Sequence, residues 1–268
     1  MPLAVCATPI GNLEDVTLRV LRELREADVV LCEDTRHTRR LLARHEIRAR
    51  LLSYHEHNEA QRTAELLPRL EAGERIALVS DAGMPGISDP GARLVAAALA
   101  AGVPVTVLPG PSAVETALVA SGFGTDRFQF LGYLPRGAGE RRALWEELAH
   151  WPHAVVAFES PQRLAGALAS LAEALPDRPV AVCRELTKRF EEVVHGSAIE
   201  LADRFSGGAK GEITIVIGPA EKAAAADVEV AAEAVSELVA GGASRRSAAD
   251  VVSRLTGASR NQLYRRSL

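Results

Sequence analysis

The sequence is poor in cysteine, and this scarcity narrows the classes of protein that it can encode. Its 268 residues include three cysteines, Cys6, Cys32 and Cys183, and none of them lies in a CxxC or Cys/His spacing. A disulfide framework and a zinc site of the usual pattern are therefore excluded. We expect three buried, reduced thiols, and since no other cluster of metal ligands is evident, we expect no bound metal.

The sequence also lacks long hydrophobic runs. Its longest apolar stretches, such as residues 94–101, are far too short to span a bilayer, and the N-terminus lacks the basic-then-apolar pattern of a signal peptide. Apolar residues make up 47% and charged residues 25%, which is typical of a soluble globular protein with one large or two smaller domains. We therefore expect a cytoplasmic protein with no membrane partner.

Charge of one sign is missing from two consecutive parts of the chain. Residues 223–242 contain Asp227 and three glutamates but no lysine or arginine, whereas residues 243–268 contain six arginines against Asp250 alone. The overall net charge of −4 argues against a globally basic nucleic-acid binder. The basic tail after an acidic spacer nevertheless indicates a local contact with a polyanion.

Strand-like runs and helical periodicity alternate along the first half of the chain. We predict strands at 3–7, 29–32, 75–80 and 105–108, and helices from Asn12, over about 59–70, over 92–101 and after a cap at Ser112. Because strand and helix alternate, the first half should form a parallel sheet covered by helices.

A second series of strands and a helical tail follow. We predict strands at 128–131, 154–158, 180–183 and 213–217, with helices near 140–149 and 162–174. The turn at 121–124 is the best domain boundary, which gives α/β domains at 1–120 and 121–220 and a helical basic extension with a linker at 221–268. In the extension we predict an apolar stripe and a capping box, formed by Ala248, Val251, Val252 and Leu255, and by Ser259 with Gln262.

Three irregular segments each follow a strand and precede a helix: TPIGN at 8–12, SDAGMPGISDPG at 80–91 and LPGPSA at 108–113. Ligands of open α/β sheets bind at the carboxyl ends of the strands, so these segments predict a binding site on one edge of the sheet. GxGxxG in its proper context and GxxxxGK[ST] are both absent, which disfavours a dinucleotide or triphosphate site. Backbone, hydroxyls and apolar walls suit a bulky uncharged or cationic ligand better.

These segments, together with EDTR at 33–36, VSDAGMPGISDPG at 79–91, FESPQR at 158–163 and GEIT at 211–214, closely resemble the ribosomal RNA small subunit methyltransferase I group. That group lies within the tetrapyrrole methylase superfamily, and the resemblance runs from about residue 3 to 268. It implies a two-domain α/β fold of the tetrapyrrole-methylase type, with a cofactor cleft between the domains and a small C-terminal helical appendage. It also implies a homodimer that uses S-adenosylmethionine to methylate a cytidine ribose 2′-oxygen in the decoding region of small-subunit (16S) ribosomal RNA.

The resemblance assigns a set of residues to the cofactor. These are Pro9, Asp81, Ala82, Gly83, Met84, Ile87, Ser112, Ala113, Phe158, Glu159, Leu186 and Thr187, with Gly211 and Glu212 as further neighbours. Methyl transfer from a sulfonium needs no metal, and positioning of the reactants can supply much of its rate.

A ribose hydroxyl is a weak acid, so a general base or a charge stabiliser would assist the reaction. Candidates in the polar segments are Glu33, Asp34, Arg36, His55, Glu56, His57 and Glu159. We select Glu33, Arg36 and His55 as catalytic candidates. The alternatives are a structural salt bridge within 33–36 and a capped helix start near Asn58.

RNA contacts are expected from local basic surfaces formed by Arg36, Arg136, Arg245, Arg246, Arg260 and Arg265. Exposed arginines are also common on solvated helix faces, and two short amphipathic helices in a tail can pack as an interface. Two other functions stay open: methylation of a tetrapyrrole or corrinoid precursor, and RNA binding without catalysis. The expected partner is small-subunit ribosomal RNA, free or within the assembled small subunit.

Overall fold

The computed structural model describes residues 2–220 and 228–268. The start of the predicted linker and Asp227 of the acidic spacer lie outside these residues. The described chain divides into two compact units: one runs to Trp145 and includes Ala154–Gly218, and the other joins Glu146–His153 to the chain from Pro219 onward. Both sheets belong to the first unit. The predicted boundaries at 120 and 220 stay predictions.

The first sheet is parallel throughout, as the alternation of strands and helices predicted. Its strands are β1 (Leu3–Cys6), β2 (Val29–Cys32), β3 (Leu51–Ser53), β4 (Ile76–Val79) and β5 (Val105–Leu108), in the order β3-β2-β4-β1-β5. β1, β2 and β4 are buried along their whole length, as expected for strands covered on both faces. β3 was not predicted, because three half-buried residues carry too little pattern.

The helices of this part of the chain are α1 (Leu18–Glu26), α2 (Thr35–Arg44), α3 (Glu59–Glu71), α4 (Ala92–Ala100) and α5 (Ala113–Ser121). The predicted helix from Asn12 is wrong. The Asn12 side chain caps only a short 3-10 turn, Leu13–Asp15, and the backbone is extended at Val16. α1 begins after Thr17, whose hydroxyl accepts a hydrogen bond from the Val20 amide and so provides the true N-cap.

The second sheet is mixed. Its strands are β6 (Phe128–Tyr133), β7 (Ala154–Glu159), β8 (Pro179–Arg184), β9 (Glu192–Ser197) and β10 (Ile213–Ile217), in the order β6-β7-β10-β8-β9. Only the pairing of β6 with β7 is parallel. Helices α6 (Ala138–Leu148), α7 (Leu164–Ala174) and α8 (Ala198–Arg204) lie between the strands in sequence. α5 packs on this sheet through Val114, Ala117 and Leu118, so it joins the two layers.

The second unit contains α9 (Val228–Ala240), α10 (Arg245–Thr256) and α11 (Arg260–Arg266) around a small apolar core. Ala248 and Val252 are buried in that core as predicted, but Val251 and Leu255 are not, and Leu255 is 80% exposed. The core-facing positions are 248, 249 and 252, which lie one step around the helix from the predicted stripe. Ser259 precedes α11, but its side chain makes no capping hydrogen bond.

Two expectations about exclusions concern the described residues only. Cys6, Cys32 and Cys183 are free and buried, which confirms the prediction of buried thiols. No helix in the ranges 2–220 and 228–268 combines the length and apolar character needed to cross a membrane. Within the same ranges, no group of three His, Cys, Asp or Glu side chains is placed to hold a metal ion.

Gly91, which precedes α4, provides a test of the backbone geometry. Its φ is 139°, and a Cβ there would lie 2.9 Å from Leu78 Cδ2 and 3.3 Å from the Gly86 nitrogen. We expect Gly91→Ala to lower the free energy of unfolding by about 2 kcal/mol or more, since both strain and overlap result. Gly73→Ala is the matched control, because Gly73 has φ 88° but no neighbour within 4 Å. That variant should lose only about 1 kcal/mol; equal urea midpoints for the two would contradict the argument.

Candidate active site

The three irregular segments meet at the carboxyl edge of the first sheet, because β4, β1 and β5 are neighbours in the sheet. Two backbone hydrogen bonds join the first two segments: the Thr8 amide donates to the Gly83 carbonyl at 2.8 Å, and the Gly83 amide donates to the Thr8 carbonyl at 3.0 Å. The third segment is as close, since a Cβ on Gly110 would lie 2.9 Å from the Ala7 Cβ. The predicted binding edge is thus a continuous structure.

The segment 80–91 is irregular but well bonded. Ser80 Oγ donates to the Gly83 carbonyl at 3.0 Å, and the Gly86 amide donates to the Pro90 carbonyl at 3.2 Å. Asp81 accepts a hydrogen bond from the Asp34 amide at 3.1 Å, which ties the segment to the end of β2. Ser88 has a φ of 60°, a left-handed conformation that is rare for a residue with a side chain. The segment is therefore a fixed wall.

This wall and the second sheet enclose a cavity of about 440 Å³. Ten of the twelve predicted cofactor residues line it: Asp81, Ala82, Gly83, Met84, Ile87, Ser112, Ala113, Phe158, Glu159 and Leu186. Gly211 and Glu212 line it as well. The volume is in the range of small-molecule sites, and the walls combine apolar side chains with a few polar groups.

Pro9 and Thr187 are the two predicted cofactor residues outside the cavity wall. Pro9 borders a separate small cleft with Thr8 and Leu13. The Thr187 hydroxyl accepts a hydrogen bond from the Asn12 amide at 3.0 Å, and Thr187 adopts a left-handed φ of 65°. A Cβ on Gly11 would lie only 2.8 Å from that hydroxyl. Thr187 thus connects the loop after β8 to the loop after β1.

Three carboxyl groups, Glu33, Asp81 and Asp89, face the cavity together. Burial, followed by repulsion from Glu33 and Asp81, raises the pKa of Asp89 to about 7. Burial, followed by repulsion from Asp81, also raises the pKa of Glu33. Sequence reasoning missed Asp89, although it lies inside the segment that the resemblance singled out. Crowded carboxyl groups at one end of a cavity favour a positively charged ligand.

The catalytic candidates separate in the structure. Glu33 lies in the cavity wall, whereas Arg36 and His55 do not. The exposed Arg36 guanidinium hydrogen-bonds the Asp34 carboxylate at 2.8 Å and lowers its pKa to about 2. His55 Nε2 lies 3.2 Å from Asn58 Nδ2, and its buried Nδ1 has no hydrogen-bond partner among the described residues. The catalytic roles of all three stay predictions.

An aromatic group and an ion pair shape the wall formed by the second sheet. The fully buried Glu159 carboxylate pairs with Arg163 at 2.7 Å, and Arg163 also donates to the Leu134 carbonyl. Phe158 contacts the rings of both Phe130 and Tyr133 edge-to-face. Tyr133 lines the cavity mouth and was also missed by sequence reasoning. Glu159 is therefore held by Arg163 rather than free to act as a base.

A buried cysteine, Cys183, also lies in the cavity wall. Its thiol is within 3.9 Å of the Ala117 carbonyl, on the face where α5 packs against the second sheet. Burial raises the pKa of this thiol to about 12.

The predicted RNA-binding arginines fall into two groups. Arg245 is tied to the Ser267 carbonyl, and Arg260 pairs with Asp250. Arg36 pairs with Asp34. By contrast Arg136, Arg246 and Arg265 are exposed, and their side chains have no polar partner in the described part of the chain. The second group is free to meet phosphates.

Comparison with known proteins places this fold and site in a class. The family described as Tetrapyrrole (Corrin/Porphyrin) Methylases matches residues 2–202. A solved uroporphyrin-III C-methyltransferase from Thermus thermophilus, complexed with S-adenosylhomocysteine, is 22% identical with a TM-score of 0.55 and covers 81% of this chain and 96% of that one. Two-sheet architecture, edge loops and cavity together define a methyltransferase of the tetrapyrrole-methylase class, as predicted.

Relatives of higher identity narrow the class. The ribosomal RNA small subunit methyltransferase I of Mesorhizobium japonicum is 45% identical over 99% of this chain and 91% of its own length. The protein of that name from Mycobacterium tuberculosis H37Rv is 46% identical over 98% of this chain and 93% of its own. The chain belongs to the ribosomal RNA small subunit methyltransferase I family.

Asp89 gives a pH-dependent prediction. Its pKa is about 7 in the folded protein and near 3.8 in an unfolded chain. Between these values the unfolded state binds fewer protons than the folded state, so stability falls as pH rises and the full penalty is present above pH 7. We expect Asp89→Asn to stabilise the protein at pH 8 by about 1–2 kcal/mol, after allowance for solvent screening, and to have no effect near pH 4.

The check is urea unfolding at both pH values. Asp126→Asn is the control, since Asp126 is exposed on the loop before β6. A gain for Asp89→Asn that is the same at pH 4 and pH 8 would show that its charge is not the cause.

Proposed function

We propose that this chain transfers a methyl group from S-adenosylmethionine to the ribose 2′-oxygen of a cytidine in the decoding region of small-subunit ribosomal RNA. The observation that carries the proposal is the cavity, which combines apolar walls, close backbone and crowded carboxyl groups. The names of the relatives support ribosomal RNA as the substrate class. The S-adenosylhomocysteine held by the Thermus thermophilus methyltransferase supports the cofactor.

The residues of the cavity fit S-adenosylmethionine. Glu33, Asp81 and Asp89 provide negative charge for a sulfonium and an amino group. Met84, Phe158 and Leu186 provide apolar surface for the adenosyl part, and the glycine backbone at Gly83 lets the ligand approach closely. When bound, this cofactor supplies an electrophilic methyl group.

The ribose hydroxyl must lose its proton during the reaction, and the cavity holds carboxyl groups able to accept it. Asp89 and Glu33 both have raised pKa values, and the pKa of Asp89 is close to neutrality. A base whose pKa lies near the working pH is the most effective acceptor. We place Glu33 and Asp89 at the reacting end of the cavity, with Arg36 and His55 as supporting groups behind the wall.

The finer assignments of partner and location belong to the same proposal. We propose that the substrate is the RNA of the small ribosomal subunit, free or assembled, that the enzyme acts as a homodimer, and that it works in the cytoplasm. Exposed Arg136, Arg246 and Arg265 would neutralise phosphates, since side chains without an acidic partner pay no cost in breaking an ion pair.

The test of this function is methyl transfer to small ribosomal subunits from cells that lack the protein. Radiolabelled S-adenosylmethionine is supplied, and the RNA is then digested to nucleosides. We expect label in 2′-O-methylcytidine. Cofactor binding without labelled RNA would favour a tetrapyrrole substrate, and absence of cofactor binding would overturn the enzymatic assignment.

Asp81 provides a test of cofactor binding. Asp81→Ala removes both a charge in the cavity wall and the acceptor of the Asp34 amide, so we expect the Kd for S-adenosylmethionine to rise about tenfold or more. Asp81→Asn retains an acceptor and separates the two effects. Calorimetric titration measures both, with Asp203→Ala on exposed surface as the control. An unchanged Kd for Asp81→Ala would remove Asp81 from the site.

The tail arginines provide a test of RNA binding. We expect Arg246→Gln or Arg265→Gln to weaken RNA affinity and to reduce the slope of log K against log salt by about 1 for each lost phosphate contact. Arg266→Gln is the matched control, because this guanidinium pairs with Glu229 at 3.2 Å. Titration of small-subunit RNA at several salt concentrations gives the slopes. Equal slopes for all three variants would show that the exposed arginines make no phosphate contact.

A further inference from the structure

Tyr133 is an exposed aromatic side chain at the mouth of the cavity, and no step described so far uses it. It ends β6, lines the cavity together with Phe158 and Asp89, and is 59% exposed. Apart from Ile87, no other large apolar side chain among the described lining residues is exposed. A large ring in this position loses hydration without gaining a protein contact, which indicates a ligand surface.

The ring of Tyr133 is presented with an open face. Its centroid lies 5.7 Å from that of Phe158, and the two ring planes make an angle of 64°. Such an edge-to-face contact covers at most one face of the phenol ring. Phe158 is held in turn by Phe130, at 5.0 Å and 68°. At least one face of Tyr133 is therefore left for another planar group.

The backbone around Tyr133 is fixed rather than loose. The register between β6 and β7 shifts between Phe130 and Tyr133, and Gly132 adopts a φ of 68°. The next residue, Leu134, donates its amide to the Phe158 carbonyl at 3.1 Å, and its own carbonyl accepts from Arg163. Arg163 is anchored by the buried Glu159 carboxylate. The ring is thus a preorganised surface, which reduces the entropy cost of stacking.

The chemistry of the proposed function requires such a surface. A ribose can reach a methyl donor inside a cavity only if its nucleotide leaves the stack of its neighbours, which costs a few kcal/mol. An aromatic side chain at the cavity mouth restores the lost stacking. The hydroxyl of Tyr133 stays protonated near neutral pH, because burial and the neighbouring Asp89 raise its pKa. The surface that it offers is therefore uncharged.

We propose that Tyr133 is a substrate-positioning residue that stacks on the base of the target nucleotide and holds its ribose toward the carboxyl end of the cavity. The inference rests on the proposed function. It assigns the recognised group as an unstacked, planar pyrimidine. Because every base has a planar face, stacking positions the nucleotide, and selection of cytidine over uridine must come from other contacts.

The experiment compares Tyr133→Ala, Tyr133→Leu and Tyr133→Phe in steady-state methylation of small subunits from cells that lack the protein. Phe128→Ala is the matched control, since Phe128 is an exposed aromatic residue at the other end of β6 and outside the cavity wall. We expect the KM for subunits to rise about tenfold or more for Ala and Leu. Phe should restore most of that loss, and Phe128→Ala should behave as wild type.

The affinity for S-adenosylmethionine is measured on the same variants and should stay within about twofold of wild type. A normal KM for Tyr133→Leu would mean that apolar bulk suffices, and a KM for Tyr133→Phe as high as for Ala would mean that the hydroxyl is the contact. Either result overturns the stacking role, as does a parallel loss of cofactor affinity. If the wild-type enzyme labels no RNA, the proposed function fails and this inference fails with it. Active wild type with an insensitive Tyr133→Ala defeats the inference alone.

Discussion

The pair of backbone hydrogen bonds between Thr8 and Gly83 is the interaction on which the site depends. It joins two loops that leave neighbouring parallel strands, and it does so without any side chain. Backbone groups in an irregular loop must find partners or pay for their burial. Here the partners are the loops themselves, so the same bonds satisfy the backbone and fix the wall of the cavity. Asp81, Met84 and Asp89 all inherit their positions from this pairing.

Electrostatics impose a second constraint, because the site places like charges together. Glu33, Asp81 and Asp89 would each be better solvated apart, and the pKa of Asp89 near 7 records that cost. The neighbouring Glu159 is treated differently, since Arg163 neutralises it. One carboxylate of the wall is thus committed to structure, while the other three keep charge available for a cationic ligand.

Much of the fold could be predicted from the sequence, because its strong signals are local. Apolar strands such as Val29–Cys32, and glycine-rich segments behind them, mark the parallel sheet and its binding edge. The start of α1 was misjudged because Asn12 and Thr17 both cap, and only the second cap begins an α-helix. The family resemblance located ten of the cofactor residues in one cavity. It did not give the roles of Asp89 and Tyr133, since crowding of charge and exposure of a ring depend on residues distant in sequence.

Cys183 shows what burial can do for an enzyme that handles a reactive compound. A thiolate is a far better nucleophile toward carbon than a thiol, and a cysteine in the wall of a methyl donor's cavity is at risk of being alkylated itself. With its pKa near 12, the sulfur is ionised in roughly one molecule in 10⁵ at neutral pH. The apolar packing between α5 and the second sheet thereby also protects the enzyme from modifying its own chain.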